Sequence, residues 1–161
     1  MDQRDKDRLL SNLKSLPNEL DDLLKDLDEE TWRWRPIPNK WSVKEIMCHL
    51  RDMERLAYLA RYRKMLGEEN PHLPNVDQDR IAFESDYMNQ DAWAALDEFK
   101  WLREETVRTL EAAPIDAWSR TGTHETDGPL TVEQLVVRQI KGNDQNHLVQ
   151  MKDIVRLKMP W

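Results

Sequence analysis

The chain has 161 residues, enough for one domain with a real core, and its 24 basic and 31 acidic residues leave a net charge of −7 spread along the sequence. That balance argues against a nucleic-acid binder, which would normally show a basic face. No apolar run nears the ~20 residues of a membrane span, the opening MDQRDKDRLL is too polar for a secretion signal, and one cysteine excludes an internal disulfide framework. A cytoplasmic protein forming a single domain over residues 1–161 is expected. With four glycines and no alternating Val/Ile/Tyr-rich runs, the expected fold is all-α.

The first helix should begin near Gln3 and carry Leu9, Leu10, Leu13 and Leu16 on one side. Pro17 has no N–H to give, so it should break that helix or begin a new one, after which Leu20, Leu23, Leu24 and Leu27 continue an apolar stripe. The connector with Trp32, Trp34 and Trp41 should pack down on the core. Ser42 with Glu45 three residues on is a capping box, and Trp41 with Ile46 has the spacing of a hydrophobic staple. From there Ile46, Leu50, Met53, Leu56, Ala57 and Ala60 form the expected inner face of a helix that stops at Gly67, with His49 at its edge. Residues 68–90 form a long connector that should cross the bundle or lid a site, with one helical turn around 79–85. A third long helix is expected over residues 91–113, burying Trp93, Leu96, Leu110 and either Phe99 or Trp101. After a loop containing His124, a second capping box (Thr131 with Gln134) opens the last helix. Four long helices with polar outer faces make an up-and-down-type four-helix bundle.

Within the last helix, steps of four and seven from His147 reach Asn143, Ile140, Met151 and Ile154. This sets a histidine and an amide in an apolar stripe. Buried polar groups of that kind need partners, from side chains or from something bound. Facing helices of bundles often build metal sites, and imidazole is the commonest ligand. The bland alternative is two core histidines hydrogen-bonded to neighbours such as Gln150. Cys48 reads as a small buried hydrophobe rather than a nucleophile. Asp52 either orients His49 or lies on a solvated face; Gln139 and Gln150 are placed to bond pocket polar groups, and Asp86 and Tyr87 to pack near the bundle mouth. No separate general base stands out.

The run KWSVKEIMCHLRDMER, the segment YMNQDAWAALDEFKWLREE, the loop TGTHETDGPLT and the final NDQNHLVQ, in that order, resemble the DinB-like family of four-helix-bundle metalloenzymes. The resemblance runs from about Pro17 to Ile154. It implies a DinB/YfiT-like bundle, a homodimer, and a divalent metal, nickel or zinc ahead of manganese. One ligand comes from a W-S-x-x-E-x-x-x-H-L pattern, here His49, and two from an H-x-x-x-H pair on the last helix. The second of that pair is His147; the first falls on Asn143. The implied metal positions are therefore His49, Asn143 and His147. Three outcomes stay open: Asn143 coordinates through its oxygen, a loop histidine (His124 or His72) replaces it, or the site is a metal-free polar pocket. The function implied is a metal-dependent hydrolase or thiol-dependent transferase acting on a small molecule, with a low-molecular-weight thiol as one candidate partner. The alternative is a non-catalytic bundle with a degenerate site that binds a small ligand or serves a stress response.

Overall fold

Four long helices, at residues 3–24, 43–67, 92–112 and 132–158, carry the fold in the computed structural model, which describes residues 1–159. The first, α1 (Gln3–Leu24), starts on an Asp2/Asp5 capping box and buries Leu9, Leu10, Leu13, Leu16, Leu20 and Leu24. It does not stop at Pro17, contrary to expectation: the proline lies inside one continuous helix. A residue at position 17 would normally donate its N–H to the Leu13 carbonyl, and proline leaves that acceptor free. Arg103 Nη1 takes the vacant place, donating to Leu13 O at 2.9 Å. The helix survives because a long-range donor replaces the local one.

The short helix α2 (Glu29–Arg33) seats Trp32 fully in the core. The next long helix combines α3 (Val43–Met53), a π-helical turn (Glu54–Leu59) and α4 (Ala60–Gly67). Its start is as expected, with the Ser42/Glu45 box making both reciprocal bonds. Its inner face is not. A π turn carries an extra residue and shifts the phase of the helix beyond it, so Leu56 lies 42 % exposed and Ala60 is exposed, while Leu59, Tyr62 and Met65 turn inward.

The 68–90 connector holds strand β1 (His72–Leu73), the helix α5 (Gln78–Ser85) where one turn is expected, and a 3-10 turn (Tyr87–Asn89). The loop before the last helix folds as a hairpin, β2 (Thr121–His124) and β3 (Gly128–Thr131), and β1 pairs parallel to β2. Neither pairing is visible in the sequence pattern, since each strand is four residues or fewer. Two glycines make the hairpin possible: Gly128 has φ +77, and a Cβ at Gly122 would sit 2.7 Å from Leu73 Cδ1. This small sheet is an ornament on a helical bundle, and it brings His124 beside the helices.

The helix α6 (Ala92–Ala112) packs on both α1 and α3. It buries Leu96, Phe99 and Leu110, but Trp93 is 42 % and Trp101 59 % exposed, so the expected burial of Trp93 is corrected and Phe99, not Trp101, faces the core. Trp93 packs against Trp32 in a T-shaped pair, 5.2 Å between centroids, and stays partly exposed. The last long helix joins α7 (Val132–Arg138), a second π turn (Gln139–Asp144) and α8 (Gln145–Lys158).

All four long helices meet at Arg103. Its guanidinium forks onto Glu54 at 2.9 Å and onto Asp144 at 2.9 Å, besides the Leu13 carbonyl. Gln139 Nε2 donates to the same Glu54 carboxylate, and Gln139 Oε1 accepts from Tyr62 Oη at 2.7 Å. The bundle thus has two apolar clusters, one at each end, with a buried ionic layer joining its helices.

Candidate functional site

Beside that layer a cavity of about 650 Å³ opens between the second and last long helices, roofed by the connector and the hairpin. His49, Met53, Ala57 and Arg61 line it at steps of four residues. In a regular helix such a series drifts by ~120° over twelve residues, and the π turn's extra residue takes back ~100° of it. The same device on the facing helix brings Gly142, Asn143 and His147 to the wall. The buried stripe of α8 is Leu148, Met151 and Ile154, so His147 stands at its edge rather than in its middle.

The His49 and His147 rings are 4.8 Å apart between centroids and nearly perpendicular at 71°, and Trp41 lies against the other side of His49 at 4.9 Å. His49 is buried, and its Nδ1 has no hydrogen-bond partner. Burial, then the neighbouring His147, pulls His49 down to about 4. Burial also lowers His147, against an opposing hydrogen bond to Gln150. Both rings are therefore neutral at neutral pH, the form in which imidazole binds a metal. His147 Nδ1–H donates to Gln150 Oε1 at 3.1 Å, which fixes its tautomer and leaves Nε2 with its lone pair. Asn143 is buried, and its Nδ2 donates to Asp144 Oδ1 at 3.1 Å, so its Oδ1 is the atom left for a ligand.

The donor set is two neutral imidazoles, one with an orphaned buried nitrogen, and an amide oxygen. That chemistry fits a divalent cation that accepts mixed nitrogen and oxygen ligands, with positions to spare for water or substrate. Among the described residues there is no group of three or more His, Cys, Asp or Glu side chains placed to hold a metal ion. His124 reaches the cavity but is committed otherwise: its Nδ1 accepts the backbone N–H groups of Thr126 at 3.2 Å and Asp127 at 3.1 Å. His72 is exposed on β1 and lies off the cavity wall.

Other expectations divide. Asp52 does not orient His49; its carboxylate accepts from Tyr87 Oη at 2.6 Å and from Arg51 Nε at 3.0 Å. Tyr87 is buried in the apolar cluster with its hydroxyl satisfied by that bond, and Asp86 caps α5 in the left-handed region. Gln150 serves the pocket, whereas Gln139 belongs to the ionic layer. Cys48 is buried with its thiol pushed up to about 11 by burial, which makes it inert. The basic run Arg51, Arg55, Arg61, Arg63 and Lys64, interleaved with acids, reads in the sequence as solvated helix surface. Arg61 is instead half-buried on the cavity wall, as is Tyr58, because the π turn brings round residues that an ideal helical wheel from His49 turns away.

The profile of the DinB superfamily matches residues 12–151. Among solved structures, the fold superposes with a TM-score of 0.89 on YfiT from Bacillus subtilis, described as a probable metal-dependent hydrolase with an unusual four-helix bundle topology. The two are 19 % identical, and the match covers 100 % of this chain and 91 % of YfiT. No curated protein matches the sequence. No helix among the described residues is long and apolar enough to cross a membrane.

Proposed function

The chain belongs to the DinB superfamily, and from its site geometry and its likeness to YfiT we propose that it is a metal-dependent hydrolase of small molecules, its divalent cation held by His49 and His147 with Asn143 Oδ1 as third donor. The observation that carries the reading is the pair of neutral imidazoles, 4.8 Å apart between ring centroids, on the wall of a cavity large enough for a small substrate. A cation bound there would supply Lewis acidity and a water of lowered pKa.

The chain's own residues do the positioning. Gln150 holds the His147 tautomer, and Trp41 covers one side of the His49 ring and keeps water from it. Asp144, itself clamped by Arg103, accepts from the amide nitrogen of Asn143 and so sets which way its oxygen faces. The ionic layer is thereby the support of the site, reached through one side chain.

A second reading is favoured by the amide at position 143. Amide oxygen suits hard cations better than nickel or zinc, so the cavity of a non-catalytic bundle would bind a small ligand without a metal. Elemental analysis of the untagged protein beside His147→Ala separates the two. Near-stoichiometric metal, lost in the variant, supports the hydrolase reading. No metal after incubation with excess nickel, zinc or manganese overturns it in favour of the second.

A further inference from the structure

The cavity has one cationic side chain. Arg61 is half-buried, gives Nη2 to the Pro74 carbonyl at 2.9 Å, and pairs with no carboxylate among the described residues. Most of the other arginines in the same region are already matched: Arg51 and Arg55 to Asp52, Arg103 to Glu54 and Asp144, Arg138 to Asp127. The acidic group on the wall, Asp127, is held by Arg138 at 2.9 Å. Asp127 attracts Arg61 only at longer range, so this guanidinium has lost part of its water with no carboxylate in contact, and it is a natural partner for an anion.

A second donor points the same way. Because His124 Nδ1 accepts two backbone N–H groups, the neutral ring carries its proton on Nε2, and Nε2–H is the hydrogen-bonding capacity it has left. The ring is largely shielded, at 12 % side-chain exposure, and it lines the same cavity as Arg61. Tyr58 also lines it, with its hydroxyl pushed up to about 12 by burial, so it too is a donor rather than an anion at neutral pH. The end of the cavity formed by Tyr58, Arg61 and the hairpin is thus donor-rich, while the His49 and His147 end offers lone pairs.

We propose that Arg61 and the Nε2–H of His124 form a carboxylate-binding subsite, and that the cavity takes an acidic small molecule whose carboxylate docks there. Calling that molecule the substrate rests on the hydrolase reading, whereas the anion contact itself needs no metal. A carboxylate fits better than a phosphate. One fork with a nitrogen already spent on Pro74, plus one imidazole N–H, matches two oxygens and a single charge. A phosphate dianion has more oxygens than this set can satisfy. Arg61 lies twelve residues along the same helix from His49, so charge recognition by Arg61 and His124 sits at one end of the cavity and the proposed metal ligands at the other, and the rest of the ligand spans between them.

The test is a titration with succinate, 1,4-butanediol and inorganic phosphate, read by proton–nitrogen correlation spectra of the arginine Nε–H and histidine ring signals. The parent, Arg61→Gln, Arg61→Lys and His147→Ala are compared. Succinate should shift the Arg61 and His124 signals, bind at least tenfold more weakly to Arg61→Gln, and keep part of its affinity in Arg61→Lys, which retains the charge without the fork. Binding should persist in His147→Ala, and metal uptake should persist in Arg61→Gln; these cross-controls separate failure of the anion subsite from failure of the metal site. Equal succinate binding by Arg61→Gln and the parent, or butanediol shifting the same signals equally, would overturn the subsite. Phosphate binding at least tenfold more tightly than succinate would overturn its assignment to carboxylates.

Discussion

Replacing Arg103 with methionine tests whether the ionic layer holds the bundle and its site together. The Arg103 side chain is 1 % exposed, and the two carboxylates it joins are 0 % and 6 % exposed. Methionine fills much of the same space but removes five hydrogen bonds at once, four to Glu54 and Asp144 and one to the Leu13 carbonyl. Two buried carboxylates then lose the one cation that pairs with them among the described residues, and removing one partner from a buried pair costs about 3–5 kcal/mol. The Leu13 carbonyl, orphaned by Pro17, adds about 1–3 kcal/mol. These contributions overlap, so a loss of at least ~4 kcal/mol is expected. For a chain of this length it should lower the melting temperature by at least ~8 °C.

Equilibrium urea unfolding, followed by circular dichroism, measures the loss directly. The triple variant Arg103→Met/Glu54→Gln/Asp144→Asn distinguishes charge from packing. With all three charges gone, no ion is left uncompensated, and neutral replacements of buried ionic groups are often tolerated. The triple variant should therefore recover at least half of what the single one loses. A cost below ~1 kcal/mol for Arg103→Met, or a triple variant no more stable than the single one, would show that the layer is solvated or redundant.

Three further outcomes are expected at the site. Asn143→His places a third imidazole on the cavity wall and should raise affinity for nickel or zinc at least tenfold by competition with a chromogenic chelator; an unchanged affinity means that the geometry there is not a metal site's. In metal-free protein, His49 is held at about 4 against an ordinary 6.5. Its folded-state pKa is depressed, so its contribution is fully present above pH ~6.5 and is lost as pH falls toward ~4, by about 3 kcal/mol; His49→Gln should flatten that limb of a stability–pH curve, and an unflattened limb assigns the acid sensitivity to other groups. Cys48, buried and pushed up to about 11, should react with iodoacetamide at pH 8 no faster than the protein unfolds, and rapid labelling of the native protein would contradict its burial.

Much of the fold was legible because its signals are local. Ser42/Glu45 and Thr131/Gln134 mark two helix starts through capping boxes of fixed spacing, and both boxes form. The leucines of α1 mark a buried face by spacing alone. Pro17 misled because the donor that rescues Leu13 lies on α6, far along the chain, and no local rule announces Arg103 as its partner. The hairpin carrying His124 was invisible for a similar reason: its strands are too short to show alternation, and β1, which completes the sheet, is two residues long.

The π turns account for which site residues the sequence reveals and which it hides. His49, Asn143 and His147 stand out by residue type and family pattern, and all three reach the cavity wall. Arg61 does not stand out, because a regular helix would carry it a third of a turn away from His49. Each π turn lies beside the ionic layer: Glu54 opens the first, Asp144 closes the second, and Arg103 clamps both. A π turn is strained relative to an α-helix and persists where surrounding contacts hold it. The buried arginine is such a contact, holding both wide turns and, through them, the phase that points Arg61 and Asn143 into one cavity. Breaking the layer should then loosen the site before it unfolds the bundle: at urea concentrations where Arg103→Met is still folded, the Arg61 and His147 side-chain signals should already broaden or move. Unmoved signals would mean that the helices keep their phase without the clamp.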